Sequence, residues 1–361
     1  MLILTDDEVK AAVPMDQAIE VNEVAFRSLE TGAAQCPDRA LLTTTGGPTL
    51  FKPACIPPAG GAEAGGAEGS GGAEALGLKV VSVREANPEL GLPSVPATML
   101  MFDAVTGLPS ALLAATWLTA LRTAAGSAVA TRALAPEQVE LLVVFGAGMQ
   151  GDAHVDAMLS VRPSLSRVAI VNRSLPRAQE LAAAVSARAG VETEAVSNPS
   201  SSIYPVFRPL IGGCLQVALG DEAAVERLCR AADIICTATN SSTPLFHGDW
   251  LKPGCHLNCI GSYTPDMQEV DAATVERSWV VVDEPGARES SGDIVKAEVS
   301  EAANGLRTLG SVLLSPPGAE GRGGRELTLF KSVGVAVQDV ATGGAAATRA
   351  AEMGIGAKAQ L

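Results

Sequence analysis

The chain has 361 residues, enough for two domains with separate cores, and 47% of its residues are hydrophobic. Its formal net charge of -14 argues against a nucleic-acid partner, because contacts to a phosphate backbone need clustered Lys and Arg. No apolar run is long enough to span a membrane and no signal peptide is recognisable, so we expect a cytoplasmic protein without membrane partners.

The first 120 residues predict a small domain of strands and helices. Leu2–Leu4 predicts a short strand, and Met15–Leu29 has the apolar spacing of a helix. The segments RALLTTT, PTLFKPACIP, LGLKVVSVRE and PSVPATMLMFD predict further strands, the first two of them antiparallel. Between them, residues 59–75 form a loose GGAE repeat that cannot bury enough surface to order itself, so we expect a flexible loop there.

A helix is predicted from Thr119 and is ended by Pro136. It leads directly into the apolar run Leu141–Phe145, which has the length of a buried strand. We therefore place a domain boundary near residue 120.

A glycine-rich turn follows that strand. Gly146 allows a tight turn, Gly148 allows backbone to approach a pyrophosphate, and Gly151 lets the next helix pack close to the strand. The free N–H groups at the start of that helix attract phosphate. The order strand, turn, helix favours a dinucleotide site over a glycine-rich turn that binds nothing. The residues assigned to the cofactor here are Gly146, Ala147, Gly148, Met149, Gln150 and Gly151.

Strands and helices alternate after this turn. RVAIVN, ADIICTAT, CHLNCIG and SWVVVDE predict strands, whereas residues 197–219 look like an insertion. The alternation predicts an α/β fold with a Rossmann-type doubly wound parallel sheet. Ligands bind beyond the carboxyl ends of the strands in such sheets, so we also assign Thr237, Ala238 and Thr239 to the cofactor.

The residues after the second strand indicate which nucleotide binds. An acid at this place, about 20 residues after the glycine turn, accepts hydrogen bonds from the ribose and selects NAD. Here Asn172, Arg173 and Ser174 stand instead, and Arg177 lies one helical turn further on. Because a guanidinium pairs with phosphate, the pattern predicts NADPH over NADH. The alternative is that Arg173 is an ordinary surface charge.

The histidines and cysteines do not indicate a metal. Cys255, His256 and Cys259 are close in sequence, but they lie in a strand-like run whose alternate side chains face opposite ways. We interpret the seven cysteines as free thiols, and His154, His247 and His256 as structural.

Several motifs together resemble the ornithine cyclodeaminase/mu-crystallin family. They are PDRALL at 37–42, GLKVV at 77–81, LRTAAGSAVATRAL at 121–134, VVFGAGMQG at 143–151, NRS at 172–174, ADIICTAT at 232–239, WLKPGCHLNCIGS at 250–262 and TLFKSVGVAVQD at 328–339. The resemblance covers nearly all of the chain outside the two inserts. It implies an α+β substrate-binding and dimerisation domain formed by residues 1–120 and 326–361, and a Rossmann domain formed by residues 121–325. It also implies a homodimer that acts on a small cyclic imino acid or amino acid at a cleft between the domains.

By the same resemblance, Arg39, Lys79 and Arg122 bind the substrate, and Lys79 and Arg122 are catalytic. Arg39 precedes a strand and is placed for a two-point contact with a carboxylate, although a surface arginine has the same appearance in sequence. Lys79 is a lone charge in an apolar strand and faces either solvent or a cleft. Arg122 falls in the first turn of the predicted helix, where a cation opposes the helix dipole and needs a nearby anion.

The resemblance leaves two chemistries open. Cyclodeaminases of the family use an Asp two residues after the position of Gly261, where this chain has Tyr263, and Asp266 lies three residues later. This difference favours the ketimine reductases of the mu-crystallin side, which reduce Δ1-pyrroline-2-carboxylate or Δ1-piperideine-2-carboxylate by hydride transfer. Ornithine cyclodeamination, amino-acid dehydrogenation and a mu-crystallin-like ligand-binding role are the alternatives.

Overall fold

The computed structural model describes residues 1–58, 74–198, 222–297, 306–316 and 323–360. Within these residues, no helix is both long and apolar enough to cross a membrane. The strands are β1 (Leu2–Leu4), β2 (Ala40–Thr44), β3 (Gly47–Ile56), β4 (Ala75–Ser82), β5 (Ala97–Phe102), β6 (Pro109–Ala114), β7 (Leu141–Phe145), β8 (Arg167–Asn172), β9 (Glu192–Ser197), β10 (Ile234–Thr237), β11 (His256–Cys259), β12 (Ser278–Val282), β13 (Arg307–Thr308), β14 (Leu327–Lys331) and β15 (Ala357–Lys358). The α-helices are α1 (Asp6–Ala12), α2 (Met15–Glu30), α3 (Thr116–Leu134), α4 (Met149–Val161), α5 (Leu175–Ala189), α6 (Glu222–Ala231), α7 (Ala272–Arg277), α8 (Ala287–Ser290), α9 (Gly292–Val295), α10 (Leu309–Leu314) and α11 (Ala336–Met353).

The chain forms two compact units. The first comprises Met1–Val129, Gly310–Pro316 and Gly334–Leu361, and the second comprises Ala130–Leu309 and Pro317–Val333. The predicted domain limits at 120 and 326 differ from these divisions by several residues. One reason is that α3 serves both units. Gly126 lies against Phe26 of the first unit, whereas Thr131 accepts a hydrogen bond from Asn258 of the second.

The first unit contains a seven-stranded sheet in the order β15-β1-β6-β5-β4-β3-β2. Its strands from β2 to β6 are antiparallel, as the short segments of the sequence indicate. The register places Lys52, Lys79 and Met99 side by side on neighbouring strands, and hence on one face. Helix α11 packs on that face so closely that a side chain on Gly343 would meet the sulfur of Met99. Lys52 and Lys79 are therefore covered by a helix.

The second unit contains an eight-stranded sheet in the order β13-β12-β14-β11-β10-β7-β8-β9. Every strand pair in it is parallel, and most of its strands are apolar and buried, which confirms the doubly wound α/β prediction. The structure corrects the expectation that residues 326–331 return to the first domain. Strand β14 lies between β11 and β12, where its apolar side chains are buried on both faces.

Other differences concern the ends of elements. Helix α3 begins at Thr116 rather than Thr119, and β4 begins at Ala75, inside the loop predicted over 59–75. Residues 59–73 lie outside the described part of the chain. The same holds for residues 199–219 of the predicted insertion, whereas Ser197 ends β9, a strand that the sequence pattern did not reveal.

Candidate active site

Four charged side chains meet inside the first unit. Asp339, in the first turns of α11, lies 2.5 Å from Lys79 Nζ and 2.9 Å from Arg122 Nε through Oδ1, and 3.7 Å from Lys52 Nζ through Oδ2. Lys52 comes from β3, Lys79 from β4 and Arg122 from α3. We call these four residues the cationic cluster. It contains three basic groups and one acid.

The cationic cluster is almost completely removed from solvent, because Lys79 and Asp339 are 0% exposed and Lys52 and Arg122 are 5% exposed. Burial lowers the pKa of Lys79 well below its ordinary value, and the neighbouring charges of Arg122 and Lys52 lower it further, whereas Asp339 raises it. Burial raises the pKa of Asp339, but the charges of Arg122, Lys79 and Lys52 outweigh it and bring the value to about 2. Asp339 is thus ionised, and Lys79 gives up its proton more readily than an ordinary lysine does.

Neighbouring groups fix the geometry of the cluster. Arg122 Nη1 donates to Gln338 Oε1 at 3.0 Å, and Gln338 Nε2 donates back to the carbonyl of Arg122 at 3.2 Å. Lys52 Nζ donates to the carbonyl of Gly334 at 3.0 Å. Gly334 has φ +82°, and a Cβ added to it would lie 2.6 Å from Arg122 Nη1. Only glycine at this position leaves the guanidinium where it is.

The structure brings Lys79 and Arg122 together, as the sequence predicts. Arg122 lies in the second turn of α3, not the first, because the helix starts earlier than expected. The anion that it needs is Asp339, a residue that the sequence analysis missed together with Lys52 and Gln338. Lys52 carried the same signal as Lys79, a lone charge in an apolar strand, and it stands directly opposite Lys79 in the register.

Arg39 does not join this network. It is partly exposed just before β2, and it has no hydrogen bond or ion pair with any residue that the structure describes. Arg39 is nevertheless near the cationic cluster along the sheet. The next residue, Ala40, pairs with Phe51, which directly precedes Lys52. Its guanidinium is therefore available to an external anion, and its assigned role stays a prediction.

The glycine turn of the second unit has the geometry that a nucleotide needs. Gly146 has φ +112°, and a Cβ there would lie 2.5 Å from the carbonyl oxygen of Ala238. A Cβ on Gly151 would lie 1.9 Å from the carbonyl oxygen of Gly146, whereas one on Gly148 would meet no atom within 4 Å. No side chain caps the start of α4 at Gly148. The open space at Gly148 and the uncapped N–H groups fit a pyrophosphate.

The remaining predicted cofactor residues surround this turn. The N–H of Ala147 donates to Asn172 Oδ1 at 3.2 Å, and Asn172 Nδ2 donates to the carbonyl of Ser174 at 3.0 Å. Asn172 thus ties the end of β8 to the glycine turn. Met149 is exposed, and the side-chain oxygen of Gln150 is buried and accepts no hydrogen bond from any described residue.

Two arginines after β8 are available to a ligand, one directly after the strand and one in the first turn of α5. Arg173 and Arg177 are both exposed, and neither bonds to any other described residue. Their positions suit contact with a phosphate beyond the ribose, but an exposed arginine is also compatible with a plain surface role.

The two threonines at the end of β10 both bond to one carboxylate. Thr237 is fully buried and donates from Oγ1 to Glu269 at 2.7 Å, and Thr239 donates to the same carboxylate from both its N–H and its Oγ1. The Thr237 side chain is thus bonded within the protein, and its assignment to the cofactor stays a prediction. Glu269, which the sequence analysis did not single out, holds this segment in place.

Two of the histidines, His154 and His256, are buried and bonded within the fold, whereas His247 is exposed and lies edge-on against Trp250. His154 Nδ1 lies 2.7 Å from the carbonyl of Gln150, and burial lowers the pKa of His154 to about 4. His256 Nδ1 lies 2.9 Å from Thr328 Oγ1. Among the described residues, no group of His, Cys, Asp and Glu side chains is arranged to hold a metal ion.

The chain is similar in sequence and in structure to several known proteins. The model of the ornithine cyclodeaminase/mu-crystallin family matches residues 1–204 and 216–352. A Delta(1)-pyrroline-2-carboxylate reductase from Bacillus cereus is 32% identical over 293 residues, which cover 80% of this chain and 81% of that protein. The structure of Thermococcus litoralis Delta(1)-pyrroline-2-carboxylate reductase with NADH and L-proline has a TM-score of 0.83 at 30% identity, over 99% of this chain and 100% of that one. An archaeal alanine dehydrogenase dimer with bound NAD has a TM-score of 0.81 at 27% identity, over 100% of this chain and 99% of that one.

Proposed function

Because the chain belongs to the ornithine cyclodeaminase/mu-crystallin family, we propose that it is a nicotinamide-dependent reductase of cyclic imino acids. The proposed substrates are Δ1-pyrroline-2-carboxylate and Δ1-piperideine-2-carboxylate, and the products are proline and pipecolate. The observation that carries the proposal is the cationic cluster, in which three buried basic groups face a single buried acid. An excess of buried positive charge is costly unless an anion arrives to balance it, and a substrate carboxylate is such an anion.

In this mechanism the residues of the first unit hold the substrate. Arg122, whose guanidinium is fixed by Gln338 and Asp339, binds the carboxylate together with Arg39. Lys79 hydrogen-bonds the imine nitrogen and keeps a proton there, which makes the ring carbon electrophilic. Asp339 balances the positive charge that collects around Lys79. A bound nicotinamide nucleotide supplies the hydride that the ring carbon receives.

A direct assay follows NADPH and NADH absorbance with five- and six-membered cyclic imino acids, alongside ornithine with NAD. We expect imine-dependent oxidation of the reduced nucleotide and no ammonia release from ornithine. Replacing Lys79 by Met should lower kcat by about 10²–10⁴-fold, the usual size of a lost proton-handling group. Lys296→Met, which changes an exposed lysine bonded to the carbonyl of Asp266, should leave the rate unchanged. Activity of the Lys79 variant at the wild-type rate would contradict the mechanism.

We further propose NADPH as the preferred nucleotide, with Arg173 contacting the 2′-phosphate. The exposed, unpaired guanidinium and the absence of an acid at the end of β8 support this choice, although the solved relatives described above hold NADH or NAD. Arg173→Ala should raise the KM for NADPH far more than that for NADH. Arg230→Ala, which changes a surface ion pair on α6, serves as the control. Equal effects of Arg173→Ala on both nucleotides would refute the phosphate contact.

A second candidate function is amino-acid dehydrogenation, which the archaeal alanine dehydrogenase favours. Oxidation of alanine with NAD or NADP, in the absence of any imino-acid reduction, would support it. Cyclodeamination is less well supported, because Tyr263 and Asp266 are both exposed and neither supplies a buried carboxylate. A ligand-binding role would require that no nucleotide oxidation occurs with any imine.

We also propose a homodimer. The support is the archaeal relative, whose structure is a dimer and which aligns with the whole of this chain. Light scattering during gel filtration should give twice the chain mass of 36.7 kDa. A mass of one chain over the micromolar range would contradict this.

A further inference from the structure

A second buried polar cluster lies in the second unit, at the carboxyl ends of its central strands. Glu269, Asp293 and Lys331 are each 0% exposed. Lys331 Nζ lies 2.9 Å from Asp293 Oδ2, and Asp293 Oδ1 accepts hydrogen bonds from the N–H groups of Glu269 and Val270. We call these three charged residues the acidic cluster, since it contains two carboxylates and one ammonium group.

Glu269 joins two strand ends through its carboxylate. Oε2 accepts hydrogen bonds from Thr237 Oγ1 and from the N–H of Gly261, both at 2.7 Å. Oε1 accepts from the N–H and the Oγ1 of Thr239, at 2.6 and 2.8 Å. Four donors converge on this group, an arrangement that favours its ionised form.

The fit around Glu269 leaves no room for adjustment. Thr237 ends β10, and Gly261 follows the end of β11 by two residues. A Cβ on Gly261 would lie 2.1 Å from the carbonyl oxygen of Thr239 and 2.4 Å from Glu269 Oε1. The loop after β10 and the loop after β11 are therefore held against each other by one carboxylate.

The segment that Glu269 holds also touches the glycine turn. Ala238, between the two bonded threonines, donates its N–H to the carbonyl of Phe145 at 2.8 Å. Its carbonyl oxygen is the atom that a Cβ on Gly146 would strike. Nucleotides bind beyond the carboxyl ends of parallel strands at such a turn, and their nicotinamide end extends over the neighbouring strand ends.

The charge of this cluster is not balanced. Burial and the charge of Asp293 raise the pKa of Glu269 above its ordinary value, although Lys331 and the donors from Thr237 and Thr239 act in the opposite direction. Burial lowers the pKa of Lys331, but the charges of Asp293 and Glu269 outweigh it and raise the value. Asp283, directly after β12, is a further buried acid. It accepts hydrogen bonds from Ser332 Oγ and from the N–H of Val333, so these two partners bring no cation to the cluster. Two carboxyl groups thus face one ammonium group in the acidic cluster, and the four donors around Glu269 support its ionised form.

We propose that Glu269 is a positioning residue that holds together the loops after β10 and β11, where the nicotinamide end of a nucleotide would bind, and that its buried charge would favour the oxidised, positively charged ring over the reduced, neutral one. The proposal rests on the nucleotide binding that the proposed function assumes. It assigns to Glu269 an effect on the relative affinity of the two redox forms, which a purely structural role does not produce.

The experiment measures dissociation constants of the oxidised and reduced nucleotide by titration calorimetry, without any imine substrate. For Glu269→Gln, which keeps the shape and removes the charge, we expect the oxidised form to weaken about tenfold more than the reduced form, as for loss of one poorly screened charge. Lys331→Gln removes the balancing cation and should shift the ratio in the opposite direction. Glu226→Gln, a surface change on α6, should leave the ratio unchanged.

The titrations separate failure of the electrostatic role of Glu269 from failure of the proposed function. Equal weakening of both forms in Glu269→Gln would overturn the electrostatic role and leave Glu269 as a structural brace. If Glu269→Gln does not fold, the Lys331→Gln ratio decides, and a shift in the same direction as expected for Glu269→Gln would overturn the proposal. Failure of the wild-type protein to bind either form would instead remove the proposed function.

Discussion

Substitution of Asp339 by Asn tests whether the cationic cluster depends on its one acid. The change keeps the shape of the side chain and removes the charge that faces Lys79, Arg122 and Lys52. The pKa of Asp339 falls from 3.8 to about 2, a difference worth about 2 kcal/mol of unfolding free energy at neutral pH. Removing one partner of a buried ion pair costs about 3–5 kcal/mol, so we expect a loss of about 2–5 kcal/mol at pH 7.

The stabilisation that Asp339 provides should decrease as the pH falls. A carboxyl whose pKa is lower in the folded state stabilises the protein above its unfolded pKa, and this contribution is lost as the pH falls toward 2. Denaturation by guanidinium, followed by circular dichroism at pH 7 and at pH 3, should therefore show a smaller gap between wild type and Asp339→Asn at the lower pH. Asp38→Asn, an exposed change outside the helices and strands, is the matched control and should shift neither curve.

A loss below about 0.5 kcal/mol at pH 7, the size typical of a surface substitution, would refute the reasoning. So would a gap that stays constant from pH 7 to pH 3, because the stabilisation would then not come from the charge of Asp339.

Binding of an anion to the cationic cluster should raise the pKa of Lys79, so that Lys79 takes up a proton when pyrrole-2-carboxylate binds. Calorimetry in buffers of different ionisation enthalpy, across the pH range of protein stability, measures this uptake, and identical heats at every pH would contradict it. Gly151→Ala should lower stability, since its Cβ meets the carbonyl of Gly146, whereas Gly148→Ala meets no atom and should weaken nucleotide binding at unchanged stability. Thermal melts and nucleotide titrations of the two variants separate these effects, and a stable Gly151→Ala protein would contradict the packing argument.

The sequence predicted local features of the fold well. Strand β8 and the glycine turn were predictable because each is encoded by neighbouring residues. An apolar run of strand length and three closely spaced glycines can be recognised without knowing the tertiary contacts. The antiparallel strands β2 and β3 were recognised for the same reason.

The partners of the candidate site were not predictable in this way. Asp339 is separated from Lys79 by 260 positions, and only the packing of α11 on the sheet brings them together. Glu269 likewise meets Thr237 across 32 positions. A charged residue at the start of an apolar helix indicates that a partner is needed, but the identity of that partner is decided by tertiary structure.

The position of β14 constrains the order in which the second sheet can be assembled. It is the last of the eight strands to leave the ribosome, yet it lies between β11 and β12. Until it is synthesised, the two halves of that sheet each present an unpaired edge, which is a template for mispairing with other chains. Translation that stops before residue 327 therefore yields fragments prone to aggregation, and folding of this unit has to wait for synthesis of β14.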